Sequence, residues 1–209
     1  MRKGMLFVLT GPSGAGKGTV LARVITTLSG LAYSVSVTTR KPRAGELDGI
    51  HYYFKTEKEF DEMQERGEFL ESVCKFKHKY GTPKSKVKEQ LEKGIDVILE
   101  IETKGATKIR EEFPDAIFIF ITPSSYDELA RRLRNRGTEE EEMVKMRLKI
   151  ARTEYRSIGQ YDYIAINDDL DSCVDTVIAI IKAERARKIN YEDLVTKLAS
   201  LYRTHKNEE

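Results

Sequence analysis

The 209-residue sequence contains only two cysteines, Cys74 and Cys173, which lie far apart in the chain. They form no Cys-x-x-Cys pair, which argues against a disulfide framework and indicates reduced thiols of a cytoplasmic protein. The sequence also lacks an internal repeat and a low-complexity segment. Because 209 residues are enough to bury a substantial interior, we expect one domain, or one core with insertions.

An excess of one charge and a long apolar run are also missing. The 36 basic residues are balanced by 34 acidic ones, so composition gives no reason to expect nucleic acid as a partner. No apolar run approaches the roughly 20 residues that a membrane-spanning helix needs, so no membrane partner is expected. Arg2 and Lys3 precede the apolar run Met5–Leu9 as they would in a signal peptide, but that run is too short for one.

A glycine-rich stretch, Gly11-Pro12-Ser13-Gly14-Ala15-Gly16-Lys17-Gly18-Thr19, organises the chain. It follows the predicted strand Met5–Leu9 and leads into residues 20–25, which have helical apolar spacing. In that context glycines let backbone N–H groups surround a phosphate, and Lys17 supplies charge for the terminal phosphates of a nucleoside triphosphate. The alternative, a glycine-rich turn with a surface lysine, does not explain the flanking pattern.

One residue of this stretch departs from the usual phosphate-loop pattern. The pattern has a hydroxyl directly after the lysine to hold Mg²⁺, whereas this chain has Gly18 there and the hydroxyl on Thr19. We therefore expect the metal to be held by phosphates, waters and other protein groups.

Apolar strands alternate with helices through most of the chain, which predicts a parallel sheet covered on both faces. The predicted strands include 5–9, 32–39, 96–99, 116–121 and 161–166. Because sites in such folds lie at the carboxyl ends of the strands, the phosphate loop, residues 36–43, residues 100–102 and Asn167 should share one rim.

The region from Gly45 to about Gly94 has shorter, mixed and more polar elements, which we interpret as an inserted subdomain. Its predicted elements are strands at 51–54 and 69–76, a helix from a capping box at Thr56 to about Arg66, and a helix over 84–93. Six lysines between Lys75 and Lys88 are interpreted as a solvated face, with anion attraction as the alternative.

Two groups of arginines are candidates for phosphate binding. Arg40 and Arg43 follow the predicted strand 32–39 and could grip a phosphate, or they could belong to a solvated basic loop. Arg132 and Arg136 lie one helical turn apart before Gly137, which could act as the hinge of an arginine-bearing lid. The alternative for the second group is an exposed hairpin joined by Arg/Glu pairs.

These residues together resemble the guanylate kinase family, over about residues 4–187. The most specific motifs are Gly11-Pro12-Ser13-Gly14, Ser36-Val37-Thr38-Thr39-Arg40-Lys41-Pro42-Arg43, Tyr80-Gly81-Thr82-Pro83, Arg136-Gly137-Thr138 and Asn167-Asp168-Asp169. The resemblance implies an α/β, P-loop NTPase fold in which helices cover a central parallel sheet. It also implies an inserted mixed α+β subdomain for the nucleoside monophosphate and a helical lid.

The resemblance implies that different parts of the chain have different functions. Residues 1–35 and 95–187 would form the core, with a lid at about 132–150, residues 36–94 would bind GMP, and residues 188–209 would form a helical tail. The activity implied is transfer of the terminal phosphate of ATP to GMP, and dGMP as well, with Mg²⁺ accompanying ATP. The residues implied to hold GMP are Ser36, Arg40, Arg43, Tyr52, Glu71, Tyr80, Thr82 and Glu102.

For the other half of the reaction, the resemblance implies that residues 11–19 and Asn167 bind ATP. The residues implied to act in catalysis are Lys17, Arg40, Arg43, Arg132, Arg136 and Arg147. The family's usual Ile-Asp-x-Gln-Gly run reads Ile101-Glu102-Thr103-Lys104-Gly105 here, which changes the details of guanine contact. The alternatives are a guanylate kinase-like binding module without activity and a kinase for another phosphorylated acceptor.

Overall fold

The computed structural model describes residues 3–75, 77–135 and 141–205, without the side chains of residue 75 and of residues 201–205. The strands within these ranges are β1 (Leu6–Thr10), β2 (Leu31–Tyr33), β3 (Val37–Thr38), β4 (Tyr53–Phe54), β5 (Phe69–Lys75), β6 (His78–Pro83), β7 (Asp96–Glu100), β8 (Ile117–Thr122) and β9 (Tyr163–Ile166). The α-helices are α1 (Lys17–Thr27), α2 (Glu57–Glu65), α3 (Lys84–Glu92), α4 (Thr103–Glu112), α5 (Tyr126–Asn135), α6 (Glu141–Tyr155), α7 (Leu170–Arg185) and α8 (Glu192–His205).

Five strands form the predicted parallel sheet, in the order β2-β7-β1-β8-β9. β1 and β8 are buried along their whole length, as expected for parallel strands that helices cover on both faces. One apolar cluster packs α1 and α7 on one face, and a second packs α4 and part of the subdomain on the other. This arrangement matches the predicted fold class.

The remaining four strands form a separate mixed sheet, in the order β4-β3-β6-β5. β3 pairs with β4 in parallel, whereas β6 pairs with both β3 and β5 in antiparallel fashion. The predicted capping box of α2 is present, because the hydroxyl of Thr56 accepts from the Glu59 amide and the Glu59 carboxylate accepts from the Thr56 amide. All strands of this sheet lie between residues 37 and 83, within the range 36–94 that the resemblance assigns to GMP binding, although β3 precedes the start at Gly45 that the sequence pattern indicated.

One sequence prediction for this region was wrong, and one strand was missed. Residues 32–39 were predicted as one strand, but β2 belongs to the parallel sheet and β3 to the mixed sheet. The chain changes sheets at Ser34–Ser36, and the alternating pattern continues across the change. β6 was not predicted at all, because Gly81 and Pro83 interrupt the apolar pattern that marks a strand.

The segment after β8 forms a helical pair with its own apolar cluster, built from one face each of α5 and α6. Ser125 caps the start of α5, since its hydroxyl accepts from the amide of Glu128 at 3.1 Å. Helix α8 follows a 3₁₀ turn, Lys188–Tyr191, after the end of α7. In the described part of the chain, no helix is both long and apolar enough to cross a membrane.

Candidate active site

The loop of residues 11–16 lies at the carboxyl end of β1, the central strand of the parallel sheet. β2 and β7 lie on one side of β1, and β8 and β9, which come later in the chain, lie on the other side. Ligands of such parallel sheets bind where the strand order reverses in this way. Gly11, Gly14 and Gly16 have φ values of 142°, 92° and 84°. A Cβ at Gly16 would lie 2.5 Å from Nδ2 of Asn167, so a side chain is excluded there.

Lys17 begins α1, and its ammonium turns back over the loop. Nζ donates to the carbonyl oxygen of Gly11 at 2.7 Å and to that of Pro12 at 3.2 Å. The positive end of the α1 dipole and the lysine charge therefore act on the same loop. This combination binds the phosphates of a nucleotide.

Asn167 follows β9 and is buried at the same rim. Its Nδ2 donates to the carbonyl oxygen of Ala15 at 2.6 Å, and its backbone amide donates to that of Thr122 at 2.8 Å. Asn167 therefore links the phosphate loop to the ends of β8 and β9. Its contact with adenine stays a prediction.

Arg147 connects the helical pair to the phosphate loop. Its Nη1 donates to the hydroxyl of Ser13 at 2.9 Å, across 134 positions of sequence. The sequence left open an exposed hairpin joined by Arg/Glu ion pairs, and one such pair is present: Nε of Arg134 lies 3.7 Å from Oε1 of Glu141. The pair α5–α6 thus combines surface ion pairs with one arginine directed at the loop.

Arg132 lies on α5 and donates from Nε to Oε1 of Glu128 at 2.6 Å and from Nη2 to the carbonyl oxygen of Asp168 at 3.3 Å. Hydrogen bonds from Arg131 and Arg132 lower the pKa of Glu128 to about 2, so this carboxylate is ionised throughout the physiological range. Arg136 lies outside the described residues. Of the three predicted lid arginines, the structure locates two, one on each helix.

Arg40 lies in a cluster of aromatic rings at the edge of the mixed sheet. Its guanidinium carbon lies 5.4 Å from the ring centroid of Tyr52 and 5.9 Å from that of Phe54. Its Nη2 donates to Oε1 of Glu46 at 2.8 Å, and the Tyr80 ring packs edge-on against Tyr52 with centroids 6.0 Å apart. The bond to Glu46, followed by smaller effects of Tyr80, raises the pKa of Arg40.

Glu46 joins the two predicted phosphate arginines, a role that sequence reasoning missed. Its Oε1 is bonded to Arg40, and its Oε2 accepts from the backbone amide of Arg43 at 2.8 Å, while the Arg43 side chain is exposed. These bonds lower the pKa of Glu46 to about 2. Ser36 is buried just before β3, and its carbonyl accepts from the amide of Tyr53 at 2.8 Å.

Glu71 on β5 is only 4% exposed, so its carboxylate is buried inside the protein. Its Oε1 accepts from the hydroxyl of Thr82 at 2.8 Å, but its buried Oε2 has no hydrogen-bond partner. Oε2 faces Gly105 of α4, where a Cβ would lie at 2.5 Å. Burial raises the pKa of Glu71 to about 6, against the opposing effects of the Thr82 bond and the charge of Lys108. An unsatisfied buried acceptor of this kind fits a ligand with N–H donors.

Glu102 stands at the N-cap position of α4, and its negative charge contributes to the raised pKa of Glu71. The two carboxylates come from different elements, and the packing of α4 on β5 brings them close enough to interact. Lys108, three residues after Gly105, lies on the same side, where its Nζ donates to the carbonyl oxygen of Ser72 at 3.4 Å. Sequence reasoning missed Lys108, although its spacing from Gly105 could have indicated a shared helix face.

Glu100, the last residue of β7, was predicted to lie on the rim of the site, but without a chemical role. A Cβ at Gly18 would lie 3.5 Å from Oε2 of Glu100. The next residue, Thr19, is exposed in the first turn of α1. After burial, the charge of Glu100 is the largest cause that raises the pKa of Tyr33 and Tyr52, so its charge acts on both the parallel sheet and the inserted subdomain. Among the described residues, no three His, Cys, Asp or Glu side chains converge as a metal site.

The lysine-rich stretch of the subdomain forms ion pairs. Nζ of Lys79 lies 2.5 Å from Oδ1 of Asp61 and 3.1 Å from Oε2 of Glu57, and Nζ of Lys84 lies 2.5 Å from Oε1 of Glu112. Because these charges are already paired at the surface, they favour the solvated-face interpretation.

Comparison with known proteins gives one consistent result. A family model described as guanylate kinase matches residues 3–184. The guanylate kinase of Caldanaerobacter subterraneus subsp. tengcongensis is 48% identical over 197 residues, which cover 94% of this chain and 96% of that protein. The guanylate kinase of Oceanobacillus iheyensis is 47% identical, with coverage of 89% and 90%.

The solved structures give the same result. The crystal structure of guanylate kinase from Anaplasma phagocytophilum superposes with a TM-score of 0.75 at 32% identity, and the match covers 90% of this chain and 89% of that one. The resemblance that the motifs predicted is therefore confirmed, as are the fold class and the prediction of a phosphotransferase enzyme.

Proposed function

The chain belongs to the guanylate kinase family, and on this premise we propose that it transfers the γ-phosphoryl group of ATP reversibly to GMP, and also to dGMP. The observation that carries the acceptor assignment is the buried, unpartnered Oε2 of Glu71. In this proposal residues 1–35 and 95–187 form the P-loop core, with the lid at about 132–150 within it, and residues 36–94 form the inserted GMP-binding subdomain.

The base of GMP would be recognised by Glu71, Thr82 and Glu102. Guanine presents two N–H donors on one edge, N1–H and the exocyclic amine, which match carboxylate acceptors. Adenine presents the opposite order there, so Glu71 would stay buried and unpaired. Leaving such a group unpaired costs about 1–3 kcal/mol or more, and polar recognition of this kind discriminates strongly between substrates.

The phosphate of GMP would be held where the mixed sheet meets the parallel sheet. The guanidinium of Arg40 is fixed by Glu46 and stacked beside Tyr52, which supports a permanently charged phosphate contact. The Arg43 side chain is exposed next to it and is available to the same phosphate. Ser36, Tyr52 and Tyr80 complete the proposed contacts through their hydroxyl groups.

On the donor side, residues 11–19 would surround the phosphates of ATP. Lys17 would exchange its bonds to the Gly11 and Pro12 carbonyls for bonds to phosphate oxygens, with little rearrangement of the loop. When bound with ATP, Mg²⁺ supplies neutralising charge at the phosphates. Glu100, a hard oxygen donor beside Gly18, fits that ion and would hold it together with phosphates and waters.

No side-chain base is required, because the attacking phosphate oxygen of GMP is largely ionised near neutral pH. Rate enhancement would come from in-line alignment and from positive charge around the transferred group. Lys17, Arg132, Arg136 and Arg147 would supply that charge. The bond from Arg147 to Ser13 supports this role, because it already directs a lid arginine at the phosphate loop.

One coupled assay tests the proposal. ADP formation from MgATP is measured with GMP, dGMP, AMP, UMP and dTMP in turn, and we expect GMP to exceed AMP by at least about a thousandfold in kcat/KM. Equal turnover with AMP would contradict the guanine assignment. Absence of turnover with every acceptor, in protein that still binds GMP, would instead support the alternative of a binding module.

A further inference from the structure

The C-terminal end of α6 is hydrogen-bonded to the end of strand β8. The hydroxyl oxygens of Tyr155 and Thr122 lie 2.7 Å apart, and the Thr122 hydroxyl donates to the carbonyl oxygen of Pro123 at 2.9 Å. Since a threonine hydroxyl carries a single proton, Tyr155 is the donor of its bond to Thr122. Burial raises the pKa of Tyr155, so its hydroxyl keeps this proton throughout the physiological range.

Neighbouring side chains hold both partners of this bond. Thr122 is only 4% exposed at the end of β8, which is buried along its whole length. The Tyr155 ring lies against the Phe120 ring, with centroids 5.9 Å apart, and packs on the apolar cluster of α5 and α6. The bond therefore joins the end of α6 to the buried centre of the parallel sheet.

The same helix carries Arg147, eight residues or about 12 Å before that end. Nη1 of Arg147 donates to the hydroxyl of Ser13 at 2.9 Å. The carbonyl oxygen of Thr122 accepts from the amide of Asn167 at 2.8 Å, and Nδ2 of Asn167 donates to the carbonyl oxygen of Ala15 at 2.6 Å. Helix α6 is thus connected to the phosphate loop directly through Arg147 and, from its C-terminal end, through Thr122 and Asn167.

Apolar packing alone does not fix α6 along its own axis. One apolar cluster packs α6 on α5, but hydrophobic contact is not directional, so a small slide of the helix changes the buried area little. A hydrogen bond is directional and tolerates only a few tenths of an ångström. A displacement of α6 by about 1 Å would take the guanidinium of Arg147 out of hydrogen-bond range of Ser13.

We propose that Tyr155 is a positioning residue for phosphoryl transfer: its bond to Thr122 fixes α6 so that the guanidinium of Arg147 stays at the phosphate loop. The inference rests on the proposed function, in which Arg147 supplies positive charge to the transferred group. Because that charge acts on the transition state, displacing it lowers kcat rather than the affinity for GMP.

The first test measures kcat and KM of Tyr155→Phe, which removes only the hydroxyl. Displacement of a catalytic group by about 1 Å costs up to about a hundredfold in rate, and we expect kcat to fall by about tenfold with KM for GMP unchanged. Thr122→Val removes the acceptor of the same bond and should give a similar loss. Tyr163→Phe is the matched control, because Tyr163 at the start of β9 donates to Oε1 of the buried Glu184 at 2.5 Å, away from α6. It should lower stability and leave kcat unchanged.

A double-mutant cycle with Arg147→Ala separates positioning from a general structural role. Arg147→Ala should lower kcat by about a hundredfold. Adding Tyr155→Phe should then change kcat by less than about twofold, because no guanidinium remains to be positioned.

A second double variant separates positioning from stability. Replacing both partners of a hydrogen bond by apolar groups of the same shape is nearly neutral for folding. Tyr155→Phe combined with Thr122→Val should therefore recover most of the stability that Thr122→Val loses, while kcat stays low. Denaturant unfolding and circular dichroism of each variant measure stability and folding beside the kinetics.

An unchanged kcat in Tyr155→Phe, with GMP turned over by the unmodified protein, would overturn the inference and leave the proposed function intact. Losses from Tyr155→Phe and Arg147→Ala that multiply would also overturn it, since the tyrosine would then act independently of the arginine. A double variant with Thr122→Val that regains kcat together with stability would show that the bond serves folding alone. Absence of GMP turnover in the unmodified protein would refute the proposed function, and the role of Tyr155 with it.

Discussion

Replacing Glu71 by glutamine should stabilise the free protein and remove most of its activity towards GMP. Burial raises the pKa of Glu71 to about 6 from an ordinary value of 4.5, which means that folding favours the protonated carboxyl. Its favourable contribution is therefore present below about pH 4.5 and lost as pH rises through about 6. At pH 7 the ionised group costs about 2 kcal/mol of folding free energy.

Glutamine is neutral and can keep the bond from Thr82 through its carbonyl oxygen. We therefore expect Glu71→Gln to raise the free energy of unfolding at pH 7 by about 1–2 kcal/mol, and the midpoint of thermal unfolding by roughly 2–8 °C. The gain should shrink to nothing at pH 4, where Glu71 is protonated in both folded and unfolded chains. Denaturant unfolding at pH 4 and pH 7 measures both values.

The same variant loses a charged acceptor for the guanine donors. A hydrogen bond to a charged group is worth about 1.5–3 kcal/mol, so kcat/KM for GMP should fall by about ten- to a hundredfold at pH 7, with KM for ATP unchanged. In the unmodified protein kcat/KM for GMP should decline as pH falls through about 6, and the decline should be smaller in the variant. Dividing kcat/KM of the unmodified protein by that of the variant at each pH cancels the titration of the GMP phosphate.

Glu68→Gln is the matched control, because Glu68 precedes the same strand but its side chain is 40% exposed and paired with Arg66. It should change neither stability at pH 7 nor kcat/KM for GMP. A Glu71→Gln protein that is less stable than the parent at pH 7, or that uses GMP equally well, would refute the assignment of Glu71 as a strained, ligand-directed carboxylate.

The remaining predictions concern three neighbouring features. Lys17→Ala should lower kcat by at least about a hundredfold while KM for GMP changes little; a raised KM with an unchanged kcat would mean that the lysine serves binding alone. Gly105→Ala would place a Cβ 2.5 Å from Oε2 of Glu71, so GMP affinity measured by calorimetry should fall while ATP affinity is retained. Lys108→Met removes a charge that lowers the pKa of Glu71, so the acidic limb of the kcat/KM profile for GMP should move to higher pH; an unmoved limb would show that Lys108 does not act on this carboxylate.

The parts of the fold that follow from short stretches of sequence were predictable. β1, the glycine loop and α1 are contiguous in the sequence, so one short motif predicts both their order and phosphate binding by the loop. The strand predicted over 32–39 failed because an alternating pattern shows that a segment is extended but not which sheet it joins. β6 escaped prediction because neighbouring strands, rather than its own composition, hold it in place: Gly81 lies against the ring of Phe69, where a Cβ would approach within 2.8 Å.

Local sequence patterns also predict only part of the candidate active site. Motifs indicated Lys17 and Arg40 as site residues, and the family resemblance implied Glu71. The partners that determine their chemistry come from other elements or from positions without a local signal. Glu46 sets the state of Arg40 from six residues away, within an irregular segment. The packing of α4 against β5, which no local pattern encodes, brings Lys108 close to Glu71.

The position of Glu71 next to the core of the central sheet separates it from the segment that carries Arg40 and Arg43. The residue before it, Leu70, is buried in the same apolar cluster as Leu6 and Val8 of the central sheet. The carboxylate that we propose to read the base is therefore anchored to the buried core of the central sheet, whereas Arg40 and Arg43 belong to a segment in which residues 41–45 are exposed. In the proposed function, substrate selectivity and phosphate alignment are thus separable traits: we expect substitutions around Leu70 to alter which base is accepted, and substitutions in residues 40–46 to adjust the rate without changing that preference.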